Sequence, residues 1–193
     1  LSMSNLAEIQ FAIVSEIILA KVDEFPKKVA ISDPEDKLTY GQFKTNIKRI
    51  SYCLLSLGCS PGQRCLIILP NSISFIQVHS SILFSRMISV PCDFDISINS
   101  LKNIVKNCEP IAVVSTTKVL KKFSKIFQNI IKVSSDLDAH LFQEAIFSLN
   151  NFLQSKKEAS LSKPVTDTAC IMYTTGTTGE SKGVMLSHKN EKY

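Results

Sequence analysis

The chain has 193 residues, 45% of them hydrophobic and 20% charged, with a formal net charge of +5. That composition excludes an intrinsically disordered chain, and the length suits one domain or one large subdomain with a true core. The positive charge is mild and forms no block of five or more like residues, which argues against a basic nucleic-acid-binding arm.

In chain order, an opening helix is expected over about Asn5–Asp23. Ile9, Ile13 and Ile17 recur every four residues, the spacing of an amphipathic helix lying on a core. The apolar stretch Ile9–Ala20 is interrupted by Glu16, and no basic residue precedes Lys21. It therefore lacks the pattern of a secretory signal and is too short and too charged to span a bilayer. Pro26 ends the helix. Val29–Ser32 reads as a strand, the turn Asp33-Pro34-Glu35-Asp36 follows, and Leu38–Tyr40 is expected to pair back as a hairpin. Gly41–Leu57 is helical, with Gly58 as its stop.

Arg64–Leu69 reads as a strand buried on both faces, because its apolar run does not alternate. Ser72 caps a helix over about Ile73–Met87. The unit then repeats: strand Ile88–Pro91, helix Ile98–Asn107, strand Ile111–Ser115, helix Val119–Gln128 and strand Ile130–Val133. In the stretch from Lys118 to Lys132, Lys118, Lys121, Lys122, Lys125 and Lys132 alternate with Val119, Phe123, Ile126 and Ile130, and no acid intervenes. These lysines are expected on the wet face of an amphipathic helix; the interleaved aromatics of a nucleic-acid patch are missing. Leu141–Leu153 has helical spacing, with His140 at its start and no evident partner for that ring. Gln154–Lys163 reads as a solvated connector, and Ala169–Tyr173 as the last buried strand before a polar loop. Alternating strands and helices predict an α/β fold with a largely parallel sheet and flanking helices, Arg64–Leu69, Ile111–Ser115 and Ala169–Tyr173 being its central strands.

Six cysteines occur, none in a CxxC pair, and the three histidines are too few to complete a zinc site. Buried, reduced thiols in a cytoplasmic protein are expected. His79 lies in an apolar helix and reads as a packed residue.

The chemistry concentrates after Tyr173. Residues 174–183 hold five hydroxyl side chains, three glycines and Lys182. The glycines leave backbone N–H groups uncovered so that the chain can wrap an anion. The hydroxyls add donors, and Lys182 adds a point charge suited to phosphate. The loop is not a Walker A motif, because Lys182 precedes Gly183 and Val184-Met185-Leu186 continues as a strand. By composition alone the alternative is a flexible polar turn between two strands. With few packing contacts of its own, it is expected to order on binding nucleotide.

The order of residues goes further. Tyr173 to His188, Tyr-Thr-Thr-Gly-Thr-Thr-Gly-Glu-Ser-Lys-Gly-Val-Met-Leu-Ser-His, closely resembles the signature of the adenylate-forming superfamily, which includes acyl-CoA synthetases and fatty acyl-AMP ligases. Leu38-Thr39-Tyr40-Gly41-Gln42-Phe43, the segment Arg64–Asn71 and Val90-Pro91 resemble further family segments. Ser181 stands where the family usually has Pro, and Gln63 where Asp is common.

The resemblance implies part of the N-terminal domain of an acyl-CoA synthetase-like ligase. It implies ATP-dependent activation of a carboxylic acid, fatty or otherwise acyl, to an acyl-adenylate. Transfer to coenzyme A or a carrier-protein thiol would follow, with Mg²⁺ bridging the phosphates. Thr174, Thr175, Gly176, Thr177, Thr178, Gly179 and Lys182 would hold the β- and γ-phosphates, with Glu180 turned to solvent. His188, where the family often has a His, lies several residues past the loop and is not favoured as an acid–base group. No catalytic residue and no metal ligand is identified within the chain. Since family members continue well past Tyr193, residues 1–193 are expected to be a partial domain, inactive alone. The alternative is a non-catalytic remnant that binds nucleotide or another protein. No nucleic-acid partner and no transmembrane segment are expected.

Overall fold

The computed structural model of the chain describes residues 22–136, 146–160, 166–175 and 181–188. Its elements are β1 (Val29–Ser32), β2 (Lys37–Thr39), α1 (Tyr40–Ser56), β3 (Arg64–Ile68), α2 (Ile73–Phe84), β4 (Ile88–Pro91) and α3 (Ile98–Cys108). They continue with β5 (Ala112–Ser115), α4 (Thr117–Lys122), β6 (Ile131–Ser134), β7 (Ile146–Ser148), α5 (Leu149–Leu153), β8 (Thr168–Thr175) and β9 (Ser181–Ser187). β1 and β2 form a separate antiparallel pair. The other seven strands form one sheet in the order β7-β6-β5-β3-β4-β8-β9. Every neighbouring pair in it is parallel except β8 and β9.

The sheet is covered on both sides, and β3 shows why its sequence does not alternate. Cys65 and Ile67 pack with Ile50 and Leu54 of α1 and with Val78 and Ile82 of α2. Leu66 and Ile68 point the other way, into Leu101 and Ile104 of α3 and Val119 and Leu120 of α4. The layering follows from chain direction. A right-handed crossover from β3 to β4 puts α2 on one face; the return from β4 to β5, past β3, puts α3 on the other. Cys65, Leu66, Ile67 and Ile68 are fully buried, and each large aliphatic side chain so placed contributes about 1.5–3 kcal/mol.

The helix starts are local decisions. Thr39 Oγ1 accepts the Gln42 N–H at 3.3 Å while Gln42 Oε1 accepts the Thr39 N–H at 2.9 Å, a reciprocal cap that turns β2 directly into α1. Ser72, Ser97 and Thr116 cap α2, α3 and α4 through their hydroxyls. Gly58, at φ +95°, takes the left-handed position after α1. The Asp33 carboxylate accepts the N–H groups of Ile73, Asp36 and Glu35. These bonds, that from Ile73 foremost, hold it below the usual carboxylate range and fasten the β1–β2 turn to the start of α2.

Several expectations are corrected. Leu141–Leu153 is not one helix: Ile146–Ser148 is a strand paired with β6, and only Leu149–Leu153 is helical. Ile146 and Ser148 are buried on either side of a half-buried Phe147, so tertiary pairing overrides the local spacing. Helix Val119–Gln128 shrinks to α4, with turns from 123 to 129 that still bury Phe123 and Phe127. The expected helix Ile73–Met87 stops at Phe84, and Arg86 turns the chain at φ 60°. β3 and β5 are central as expected, whereas β8 is second from the edge. Of the expected opening helix only residues 22–24 are described, and they are helical. The rest of it and His140 lie outside the described residues.

Candidate functional site

The last buried strand is longer than its apolar run. β8 continues through Thr174 and Thr175, and β9 begins at Ser181, so the candidate loop is the tip of an antiparallel hairpin. The register pairs Thr174 with Lys182, Thr175 with Ser181 and Tyr173 with Gly183. Residues directly opposite each other in such a ladder share a face. Thr174 and Lys182 therefore stand together, both exposed, next to the five-residue tip 176–180. A hydroxyl and an ammonium thus stand on one face of the ladder at the carboxyl end of a mostly parallel sheet, where α/β folds place ligands. Of the seven candidates, the backbone of Thr175 is also placed in this ladder. Gly176, Thr177, Thr178 and Gly179, with Glu180 and the expected ordering by nucleotide, lie outside the described residues.

Tyr173 was not among the expected site residues, yet it anchors the hairpin. Its ring lies over Gly183 of the facing strand: a Cβ built on Gly183 would sit 3.1 Å from Tyr173 Cζ and 3.1 Å from Ile171 Cγ2. Its hydroxyl donates a hydrogen bond to Asn107 Oδ1 on α3. Burial pushes the phenol up to about 12, the neighbouring Cys108 thiol adding to the effect. Tyr173 is therefore a neutral donor at physiological pH. The sequence signal for this contact is an aromatic paired across a hairpin with glycine, but it requires the register to be known. Beside Tyr173 lies a cavity of about 270 Å³, lined also by Pro91 and Cys92 at the end of β4 and by Asp95, Ser97 and Ser100 before and within the first turn of α3.

Two of the three histidines, His79 and His188, lie among the described residues, neither of them in the β8–β9 ladder. His79 stacks on Phe75 at 6.1 Å and hydrogen-bonds Ser89 Oγ through Nδ1 at 2.8 Å. Burial lowers it to about 4, so it is neutral and structural. His188 is buried after the far end of β9, its N–H donating to the Asp167 carbonyl. Five residues of strand separate it from Lys182, which puts the two roughly 20 Å apart at the usual rise. All six thiols are free, and burial pushes Cys59 and Cys108 up to about 11 and Cys92 to about 12. Among the described residues no three His, Cys, Asp or Glu side chains gather as a metal site. No helix among them is long and apolar enough to cross a membrane.

The chain is similar to known proteins in sequence and in fold. The family of AMP-binding enzymes matches residues 19–191. The 3-oxocholest-4-en-26-oate–CoA ligase of Rhodococcus rhodochrous is 22% identical over 185 residues, covering 92% of this chain and 33% of the relative. The L-proline–[L-prolyl-carrier protein] ligase of Pseudomonas fluorescens is 27% identical over 179 residues, covering 92% of this chain and 35% of the relative. The chain thus spans about a third of the length of these relatives. Among solved structures, the anthranilate CoA ligase AuaEII in complex with anthranoyl-AMP superposes with a TM-score of 0.80 at 19% identity, over 93% of this chain and 35% of that one.

Proposed function

This chain belongs to the AMP-binding enzyme family, whose members are adenylate-forming ligases, and from that premise we propose that it is the triphosphate-binding part of an N-terminal ligase domain. In the proposed reaction a carboxylate oxygen of the acid attacks the α-phosphorus of ATP. The bond to the bridging oxygen breaks, pyrophosphate leaves and an acyl-adenylate remains. A thiol sulfur, of coenzyme A or a carrier protein, then attacks the acyl carbon and AMP departs. The contribution of this chain is to position and neutralise the leaving pyrophosphate rather than to do covalent chemistry. Thr174 and Thr175 at the end of β8 and the tip residues Gly176, Thr177, Thr178 and Gly179 donate hydrogen bonds to the β- and γ-phosphates, and the Lys182 ammonium offsets their charge. Mg²⁺, when bound, supplies further charge neutralisation at the phosphates.

The observation that carries this reading is the pairing of Thr174 with Lys182 on one face of a hairpin at the carboxyl end of the sheet. Such a ladder sets a cation and a donor on one face, beside a glycine- and hydroxyl-rich stretch of sequence. The acid, with fatty and other acyl acids as the first candidates, is selected by residues beyond this chain, and so is the acceptor thiol.

The test is ATP–pyrophosphate exchange with labelled pyrophosphate and a panel of fatty, aromatic and amino acids. The parent protein is expected to exchange with at least one acid, and the 193-residue chain alone with none. An ammonium about 4 Å from a phosphate charge is worth ~1 kcal/mol in bulk water and ~4 kcal/mol near a protein surface. Lys182→Ala in the parent should therefore slow exchange by roughly 5- to 900-fold. Robust exchange by the isolated chain, or no effect of Lys182→Ala in an active parent, overturns the reading.

A further inference from the structure

We propose that the layer made by α3, α4 and the turns following α4 is a docking face for an anionic lipid surface. The chain's charge is segregated onto this layer. Residues 98–132 hold seven lysines and a single acid, Glu109, whereas the remaining residues hold 15 basic and 16 acidic side chains. The whole positive balance of the chain thus resides in one stretch.

The fold then turns the stretch to one side. Leu101 and Ile104 of α3 and Val119 and Leu120 of α4 pack on the same face of the sheet, so the outward sides of both helices point the same way. Lys102, Lys106, Lys118, Lys121, Lys122 and Lys125 are exposed there, and none of them enters an ion pair among the described residues. Ile98, 51% exposed, is followed by Lys102 and Lys106 at four-residue intervals, an apolar foot on a basic stripe along α3. The acids border the face rather than dilute it. Glu109 pairs with Arg64 at 3.8 Å, Asp136 accepts from Thr117 at the start of α4, and Asp93 and Asp95 precede α3.

The chemistry of the cations selects the partner. All of them are lysines, hydrated point charges suited to a diffuse anionic surface, whereas arginine supplies the forked geometry of specific carboxylate and phosphate pairing. Phe123 and Phe127 are buried and unavailable to stack bases, which disfavours single-stranded nucleic acid. Arginine and large aromatics, the usual anchors of a protein interface, are missing from residues 98–132 apart from these two buried rings. Lysine stems and Ile98 lying toward lipid headgroups use what the face offers.

The test is co-sedimentation of the chain with vesicles of phosphatidylcholine, alone or with about a third phosphatidylserine. Binding is expected only to the anionic vesicles, and it should vanish near 1 M salt, where the screening length falls to about 3 Å. Each lysine near an anionic surface multiplies partitioning about five-fold, so reversing Lys118, Lys121, Lys122 and Lys125 to Glu should weaken it by roughly 600-fold or more. The milder Lys→Gln set should weaken it in the same direction, with an unchanged melting curve confirming the fold. Lys27→Glu, Lys28→Glu and Lys37→Glu, beside and within the β1–β2 pair that packs outside α1, should leave binding intact. Equal binding to neutral vesicles, or retention of binding by the four-lysine variants, overturns the proposal. So does a chain that ignores vesicles while binding polyglutamate or duplex DNA, which would assign the face to an acidic protein or to nucleic acid.

Discussion

Gly183→Ala is the sharpest probe of the hairpin that presents Lys182. The new methyl would sit 3.1 Å from Tyr173 Cζ, 3.2 Å from Tyr173 Cε1 and 3.1 Å from Ile171 Cγ2. Carbon atoms prefer about 3.5–4.0 Å, so each contact is short by roughly 0.3 Å or more. Relief requires the Tyr173 ring to move, but its hydroxyl is bonded to Asn107 and Ile171 packs against the α3–α4 side of the core. Overpacking of this kind costs about 1–3 kcal/mol. Replacing glycine within a strand returns about 0.5–1 kcal/mol of backbone entropy. The contact wins, and the net expectation is destabilisation by about 0.5–2 kcal/mol. For a chain of this size each kcal/mol lowers the melting temperature by about 2–4 °C. The assay is urea unfolding of wild type, Gly183→Ala, Tyr173→Ala and the double variant. Without the ring most of the clash is gone, so alanine at 183 should become neutral or stabilising, with a coupling of at least ~0.5 kcal/mol. If Gly183→Ala shifts stability equally with and without Tyr173, the ring-on-glycine account is wrong.

Three further outcomes are expected. Because burial lowers His79 to about 4, the unfolded chain takes up its proton first as pH falls through about 6.5, so stability drops between there and about pH 4, by about 3 kcal/mol in all. Urea midpoints of His79→Phe should lose most of that slope, and an unchanged slope would place the acid sensitivity elsewhere. Thr39→Ala, which removes one half of the reciprocal cap on α1, should cost about 1 kcal/mol in thermal unfolding, while an exposed control such as Ser56→Ala should cost less. In native protein at pH 8 a thiol reagent should titrate Cys53, half-buried, ahead of the other five thiols, Cys92 included because burial pushes it up to about 12, and all six only after unfolding; rapid native reaction of Cys65 would contradict its complete burial.

Much of this protein was open to reading residue by residue. The non-alternating run Arg64–Leu69 can only be buried on both faces, which requires helices above and below and hence a parallel sheet with crossovers. Ser72, Gly58 and Pro26 mark boundaries because caps, left-handed stops and missing donors act within a few residues. The proposal of an anion site at residues 174–183 rests on composition in the same local way: backbone N–H groups, hydroxyls and an ammonium carry their chemistry wherever they stand.

What the sequence left open is whatever depends on partners distant along the chain. Leu141–Leu153 carries helical spacing, yet Ile146–Ser148 extends because β6 offers a ladder of unpaired backbone groups beside it, and long-range hydrogen bonds outweigh a weak local preference. Thr174 and Thr175 look like loop residues by composition but are strand, because β9 pairs with them. The pairing of Thr174 with Lys182, the seating of Tyr173 on Gly183 and its tether to Asn107, 66 residues away, all follow from register. So does the gathering of the lysines of α3 and α4 on one side of the sheet, which follows from crossover handedness. Side-chain chemistry is a property of each residue and is written in the sequence. Which groups face one another is a property of how the whole chain packs, and only the tertiary structure decides it.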